Sequence, residues 1–164
     1  MKPTTENTGL IVVEPIRQVA GDGQKEKRVV NALYNLYPDW NFYPTPKFFF
    51  TDYHITRRAH GGRENYIGDL EIKWLRIPSS KEAIFPFNKL QQTLIAPPYT
   101  DAEDIYHRIC FRFTDGLLII PAKVLGFMVP QFHVRWDTKE RDLVLYVDAK
   151  EYPEYWHDVV VTDE

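Results

Sequence analysis

Between Gln24 and Tyr37, apolar residues recur at spacings of three and four, at Val29, Val30, Leu33, Tyr34, Leu36 and Tyr37. This spacing predicts a helix with one buried stripe. Asp22 stands where an N-cap is expected, and Pro38 marks the stop. Upstream, Leu10–Val13 is a short apolar run closed by Pro15, readable as a strand or as an arm packed on the body, and polar residues 1–8 are expected to fray. Downstream the pattern becomes aromatic and β-branched, which predicts strands over Trp40–Tyr43, Phe48–Arg57 and Tyr66–Arg76, with a turn at His60-Gly61-Gly62. Strict alternation places Tyr66, Gly68, Leu70, Ile72 and Trp74 on one face of the third strand, and Ile67, Asp69, Glu71, Lys73 and Leu75 on the other. Phe87–Ile95 predicts a second helix, stopped by Pro97-Pro98 and followed by an acidic loop over 99–105. Strands are then expected over Tyr106–Phe113 and Leu117–Ile120 around Asp115-Gly116, and a late hairpin joins Phe132–Trp136 to Leu143–Val147 across polar residues 137–142. Helix, strands, helix, strands is the order of an α/β (α+β) fold with a mixed sheet.

The 164 residues, 44% of them hydrophobic, suit a single domain with a substantial core over 1–164. No run of about 18 apolar residues is present, so no membrane span is expected. The first residues lack the apolar stretch of a signal peptide. The single cysteine, Cys110, excludes an intrachain disulfide framework and favours a reducing, cytoplasmic setting. Lying within an apolar strand, Cys110 reads as a small core residue. The five histidines lack zinc-site spacing, and Gly61-Gly62 matches no phosphate-binding fingerprint. A net charge of −3 argues against coating DNA with the whole surface, but it leaves room for a basic groove beside an acidic metal site.

The third strand is where the pattern departs from an ordinary half-buried strand. Asp69, Glu71 and Lys73 follow one another along one face, and charges on such a face are costly unless paired or holding a metal. Acid-x-Lys triplets alone say little: roughly one to two are expected by chance in a chain of this composition. Three occur, at Glu71–Lys73, Asp137–Lys139 and Asp148–Lys150, but only the first lies in a long apolar strand that follows a strand with its own acid, Asp52. If those two strands pair around the glycine turn, Asp52 and Glu71 converge. Two readings fit: a metal-binding carboxylate pair, or an ion-pair ladder on an exposed sheet face, where such pairs contribute little. Glu26 likewise reads in two ways, as a solvated residue of the first turn or as a carboxylate on the apolar side of the helix aimed at a site.

An acid on one strand, then acid-x-Lys on the next, with a helix before and after, resembles the PD-(D/E)xK nuclease superfamily. The order here is helix 24–37, Asp52, Glu71-Ile72-Lys73 and helix 87–95. Trp74-Leu75-Arg76, Asn88-Lys89-Leu90 and Arg112-Phe113-Thr114-Asp115-Gly116 resemble the corresponding run of its small phage and prophage members. The resemblance spans about residues 24–121, and Thr51 replaces the proline that often precedes the first acid. It implies a restriction-endonuclease-like mixed sheet flanked by helices, and Mg²⁺ or Mn²⁺ held by Asp52, Glu71 and the Ile72 carbonyl. Asp69 and Glu26 are further candidate ligands. Lys73 would position or activate the attacking water. The implied function is a phage-encoded DNA endonuclease, structure-selective or of the homing or resolvase kind, acting as a homodimer or higher homo-oligomer in the cytoplasm of a bacterial host.

Arg57, Arg58 and Arg63 surround the glycine turn, and Arg76 and Lys89 follow the acid-x-Lys strand. They are candidate phosphate contacts, or in the turn simply solvated charges. Two other classes remain open: a nuclease-like fold kept as a non-catalytic binding or phage–host interaction module, and a structural virion protein with an acid ladder on its sheet.

Overall fold

The computed structural model describes residues 22–97 and 104–163. The Leu10–Val13 run and residues 99–103 of the acidic segment lie outside them. Val29, Val30 and Leu33, the stripe expected from periodicity, are buried on helix α1 (Asp22–Leu36). They pack on one face of a six-stranded sheet, against Phe42, Tyr53, Ile55, Leu70 and Ile72. The sheet comprises β1 (Trp40–Pro44), β2 (Tyr53–Arg58), β3 (Glu64–Trp74), β5 (Arg108–Phe113), β6 (Gly116–Pro121) and β9 (Trp156–His157), in the spatial order β1-β2-β3-β5-β6-β9. All pairs are antiparallel except β3–β5, which is parallel. Parallel neighbours need a long crossover; here it carries β4 (Ala83–Pro86) and helix α2 (Phe87–Leu94).

The opposite face of the sheet holds a second core. Ile109, Phe111, Phe113, Leu118 and Ile120 meet Phe85, Leu90, Leu125, Leu145 and Val147 there. These come from α2, from α3 (Ala122–Leu125), and from a three-stranded antiparallel sheet ordered β4-β8-β7, with β7 over Gln131–Val134 and β8 over Arg141–Val147. The molecule is therefore a mixed α+β structure in which α1 covers one face of the large sheet, while α2, α3 and the small sheet cover the other. Tyr152, Tyr155 and Trp156 pack against this second core, and Cys110 is fully buried among apolar neighbours of the first. Buried Arg112 donates to the Leu75 and Val161 carbonyls, and Arg108 to those of Ile67 and Tyr106. Among the described residues no helix is long and apolar enough to cross a membrane.

Two expectations need correcting. The second strand starts at Tyr53 rather than Phe48: Pro46 to Phe49 form a turn, closed by Phe49 N–H donating to the Pro46 carbonyl at 3.0 Å, with Phe48 at φ 67°. Phe48 and Phe50 therefore share no strand face with Asp52. The alternation along β3 also breaks. Ile55 pairs with Gly68 but Thr56 with Tyr66, so Ile67 is an extra, bulged residue. A bulge inserts one residue and flips the faces on one side of it. Tyr66 thereby joins the Asp69 face, and Ile67 joins Leu70 and Ile72 under α1.

Candidate active site

Asp52 immediately precedes β2. Its N–H donates to the Leu70 carbonyl at 3.0 Å, which extends the β2–β3 ladder and sets Asp52 beside Glu71. Its Oδ2 accepts from Ile72 N–H at 2.7 Å. Within a strand a residue's N–H and C=O leave on the same edge, so the Ile72 carbonyl also faces the Asp52 side. Glu71, facing α2, is buried. Lys89 Nζ on α2 lies 3.4 Å from its Oε2, and its Oε1 is buried without a hydrogen-bond partner among the described residues.

This crowding shows in proton affinities. Burial first, then the neighbouring Asp52, raises the Glu71 carboxyl to about 8; Lys89 opposes the rise and Glu26 adds to it. Burial also raises Asp52, against the pull of Ile72 N–H, Lys89 and Glu71. Glu26 is thus electrostatically coupled to Glu71, from an α1 that covers the other face of the sheet.

Asp69 has a different role. It is fully buried, and its carboxylate accepts from Thr51 Oγ1 at 2.8 Å and Tyr66 O–H at 2.6 Å, with His54 Nδ1 at 2.7 Å. Its backbone N–H donates to His107 Nδ1 at 2.9 Å, which leaves the other ring nitrogen of His107 to donate to the Ala96 carbonyl at 2.8 Å. Asp69 is tied into a structural network that fastens the β2–β3 hairpin. Asp69→Ala strands three polar partners in the interior and should cost about 2–4 kcal/mol. Urea denaturation checks this; an unchanged midpoint would remove Asp69 from that structural role.

Lys73 lies one alternation beyond Glu71, on the same face. It is half-buried, lines a groove against α2 and the small sheet, and makes no ion pair among the described residues. Lys89, expected as a phosphate contact, sits in the site beside Glu71. Arg57, Arg58 and Arg63 are exposed at the far end of the hairpin. With about 3.3 Å per residue along a strand, that end is about 20 Å from Asp52. Arg76 lies just past β3, 3.7 Å from Asp163. Among the described residues no three of His, Cys, Asp and Glu gather closely enough to hold a metal ion, so Asp69 and Glu26 do not complete a carboxylate triad with the pair.

No family model, curated protein or solved structure matches the chain. What the site can do is therefore read from its own chemistry. Two adjacent carboxylates and a carbonyl on the same side make an all-oxygen donor set. Mg²⁺ is commonly held by one or two carboxylates and keeps several waters, so the set fits such an ion. Oε1 of Glu71, buried and without a hydrogen-bond partner among the described residues, is an acceptor open to such an ion. His133, Arg135 and Arg141 also line the groove at Lys73; in the sequence they belong only to the late hairpin. The signal that could have found them is the alternation of His133 and Arg135 along that strand.

Proposed function

We propose that the protein is a metal-dependent endonuclease that hydrolyses DNA phosphodiester bonds, with Asp52, Glu71 and Lys73 at its centre. The observation that carries this reading is the juxtaposition of Asp52 and Glu71 across the β2–β3 pairing, with Glu71 Oε1 buried and unpartnered. The strand order supports it: an acid from one strand and acid-x-Lys from the next, between helices α1 and α2.

Asp52, Glu71 and the Ile72 carbonyl would hold Mg²⁺ or Mn²⁺, which supplies a bound water of lowered pKa and neutralises phosphate charge. Lys73, with no carboxylate partner, positions the attacking water and stabilises negative charge on pentacovalent phosphorus. Lys89 offsets the charge of Glu71 and carries donors that can reach a phosphate oxygen.

The test is incubation with supercoiled, single-stranded and branched DNA in Mg²⁺, in Mn²⁺ and in EDTA. Lys73→Ala should fold normally and lose at least about 10²-fold in cleavage rate. Full activity in that variant sinks the assignment. The Glu71–Lys89 pair favours one rival, a nuclease-like fold retained for binding, because a carboxylate already facing an ammonium has less need of a cation. That rival predicts DNA binding indifferent to Mg²⁺ and no cleavage.

A further inference from the structure

A groove of about 750 Å³ opens at Lys73. One wall is the first part of α2, with Phe87, Asn88 and Gln91. The other is the small sheet, with His133, Arg135 and Arg141. Register accounts for part of the second wall: His133 pairs with Asp142 on the face that continues to Arg135, while Arg141, paired with Val134 at the start of β8, borders the groove from the strand end. The lining carries three permanent cations, Lys73, Arg135 and Arg141, against one carboxylate, Asp142. Arg135 Nε donates to Asp142 Oδ2 at 2.7 Å and its Nη1 lies 3.8 Å from Glu140, so its charge is largely matched, whereas Lys73 and Arg141 have no ion pair among the described residues. Trp136, 85% exposed, follows Arg135 at the hairpin end, beside the groove in sequence but outside its lining residues. A cationic groove with an exposed aromatic is the recurrent means of holding single-stranded nucleic acid, phosphates on the cations and a base on the ring.

We propose that this groove holds a single strand of nucleic acid leading away from the Asp52–Glu71 pair past Lys73. The proposal rests on the nuclease reading, which gives a strand its reason to pass there. It places the principal phosphate contacts on the β7–β8 hairpin rather than on Arg57, Arg58 and Arg63.

The experiment measures anisotropy of a short fluorescein-labelled DNA single strand, and of the same sequence as a duplex, across a salt series. EDTA is present, so cleavage plays no part. The wild type should prefer the single strand. Arg141→Glu should weaken single-strand binding about tenfold at low salt and flatten the plot of log affinity against log salt by about 0.7, the share of one phosphate contact. Trp136→Ala should weaken binding about tenfold with the slope unchanged. Circular dichroism of both variants confirms their fold. Equal affinities for wild type and Arg141→Glu overturn the proposal, as does a loss seen only in Arg57→Glu, or equal binding of the duplex. Cleavage by a protein whose binding ignores Arg141 and Trp136 refutes the groove and leaves the nuclease. Groove-dependent binding without cleavage in any metal refutes the nuclease instead.

Discussion

Glu71→Gln is expected to abolish cleavage while making the protein more stable near pH 8. The two effects have one source. Glu71 is buried beside Asp52, and its carboxyl is raised from 4.5 to about 8. Between those values the unfolded chain gives up this proton while the folded chain keeps it. The folded state then binds more protons, so stability falls as pH rises through the window and levels off above about 8. Glutamine never ionises and escapes the loss. The gain at pH 8 should be about 1–3 kcal/mol, a rise in Tm of about 2–4 °C per kcal/mol, and at pH 4 the two proteins should melt together. Adding Mg²⁺ should restore stability to the wild type, by about 2.7 kcal/mol at one hundred times Kd, and do nothing for the variant. Thermal melts at both pH values, with EDTA and with Mg²⁺, read all of this. A variant no more stable than wild type at pH 8 would show that Glu71 is not held under strain. Cleavage should drop by at least about 10²-fold.

Gly68→Ala is expected to destabilise the fold severely. Gly68 sits at the β3 bulge with φ 127°, and a Cβ there would lie 1.9 Å from the Tyr106 carbonyl oxygen. That neighbour is backbone and cannot turn aside: Tyr106 N–H donates to the Ile67 carbonyl, and the next residue, His107, is fixed to the Asp69 N–H. The cost should exceed about 4 kcal/mol, against a total stability of about 5–15 kcal/mol for a domain. Gly61→Ala is the control. Its φ is 79° but the space around it is open, so it should cost about 1 kcal/mol. Circular dichroism and urea unfolding of the two variants decide it; a Gly68→Ala protein with a near-wild-type midpoint would contradict the close contact.

Local patterns were legible in the sequence wherever one period ran unbroken. Both longer helices were read to within a few residues, because Val29, Val30, Leu33 and Leu90 point at a core and prolines flank the ends. The meeting of Asp52 and Glu71 was also readable, since it needs only a hairpin. What failed was anything set by a distant contact. The bulge at Ile67 lies where the chain at Tyr106 crosses close over Gly68, and strict alternation contains no trace of that crossing. β4, four residues long, exists because β8 pairs with it from far along the chain. Lys89 was seen as basic, but its place beside Glu71 depends on how α2 packs. The resemblance offers Asp69 as a further ligand; the Thr51, His54 and Tyr66 contacts that occupy it are a tertiary arrangement.

The parallel pairing of β3 with β5 also sets an order of assembly. The hairpin that joins Asp52 to Glu71 closes around a short turn, whereas Leu70 meets Arg108 only after the whole β4–α2 crossover is in place. Closing the longer loop costs more chain entropy and governs the slower step. The carboxylates therefore come together while still open to water, where their repulsion is screened. Lys89 arrives with the same crossover that buries them, so desolvation and its partial compensation are a single folding event.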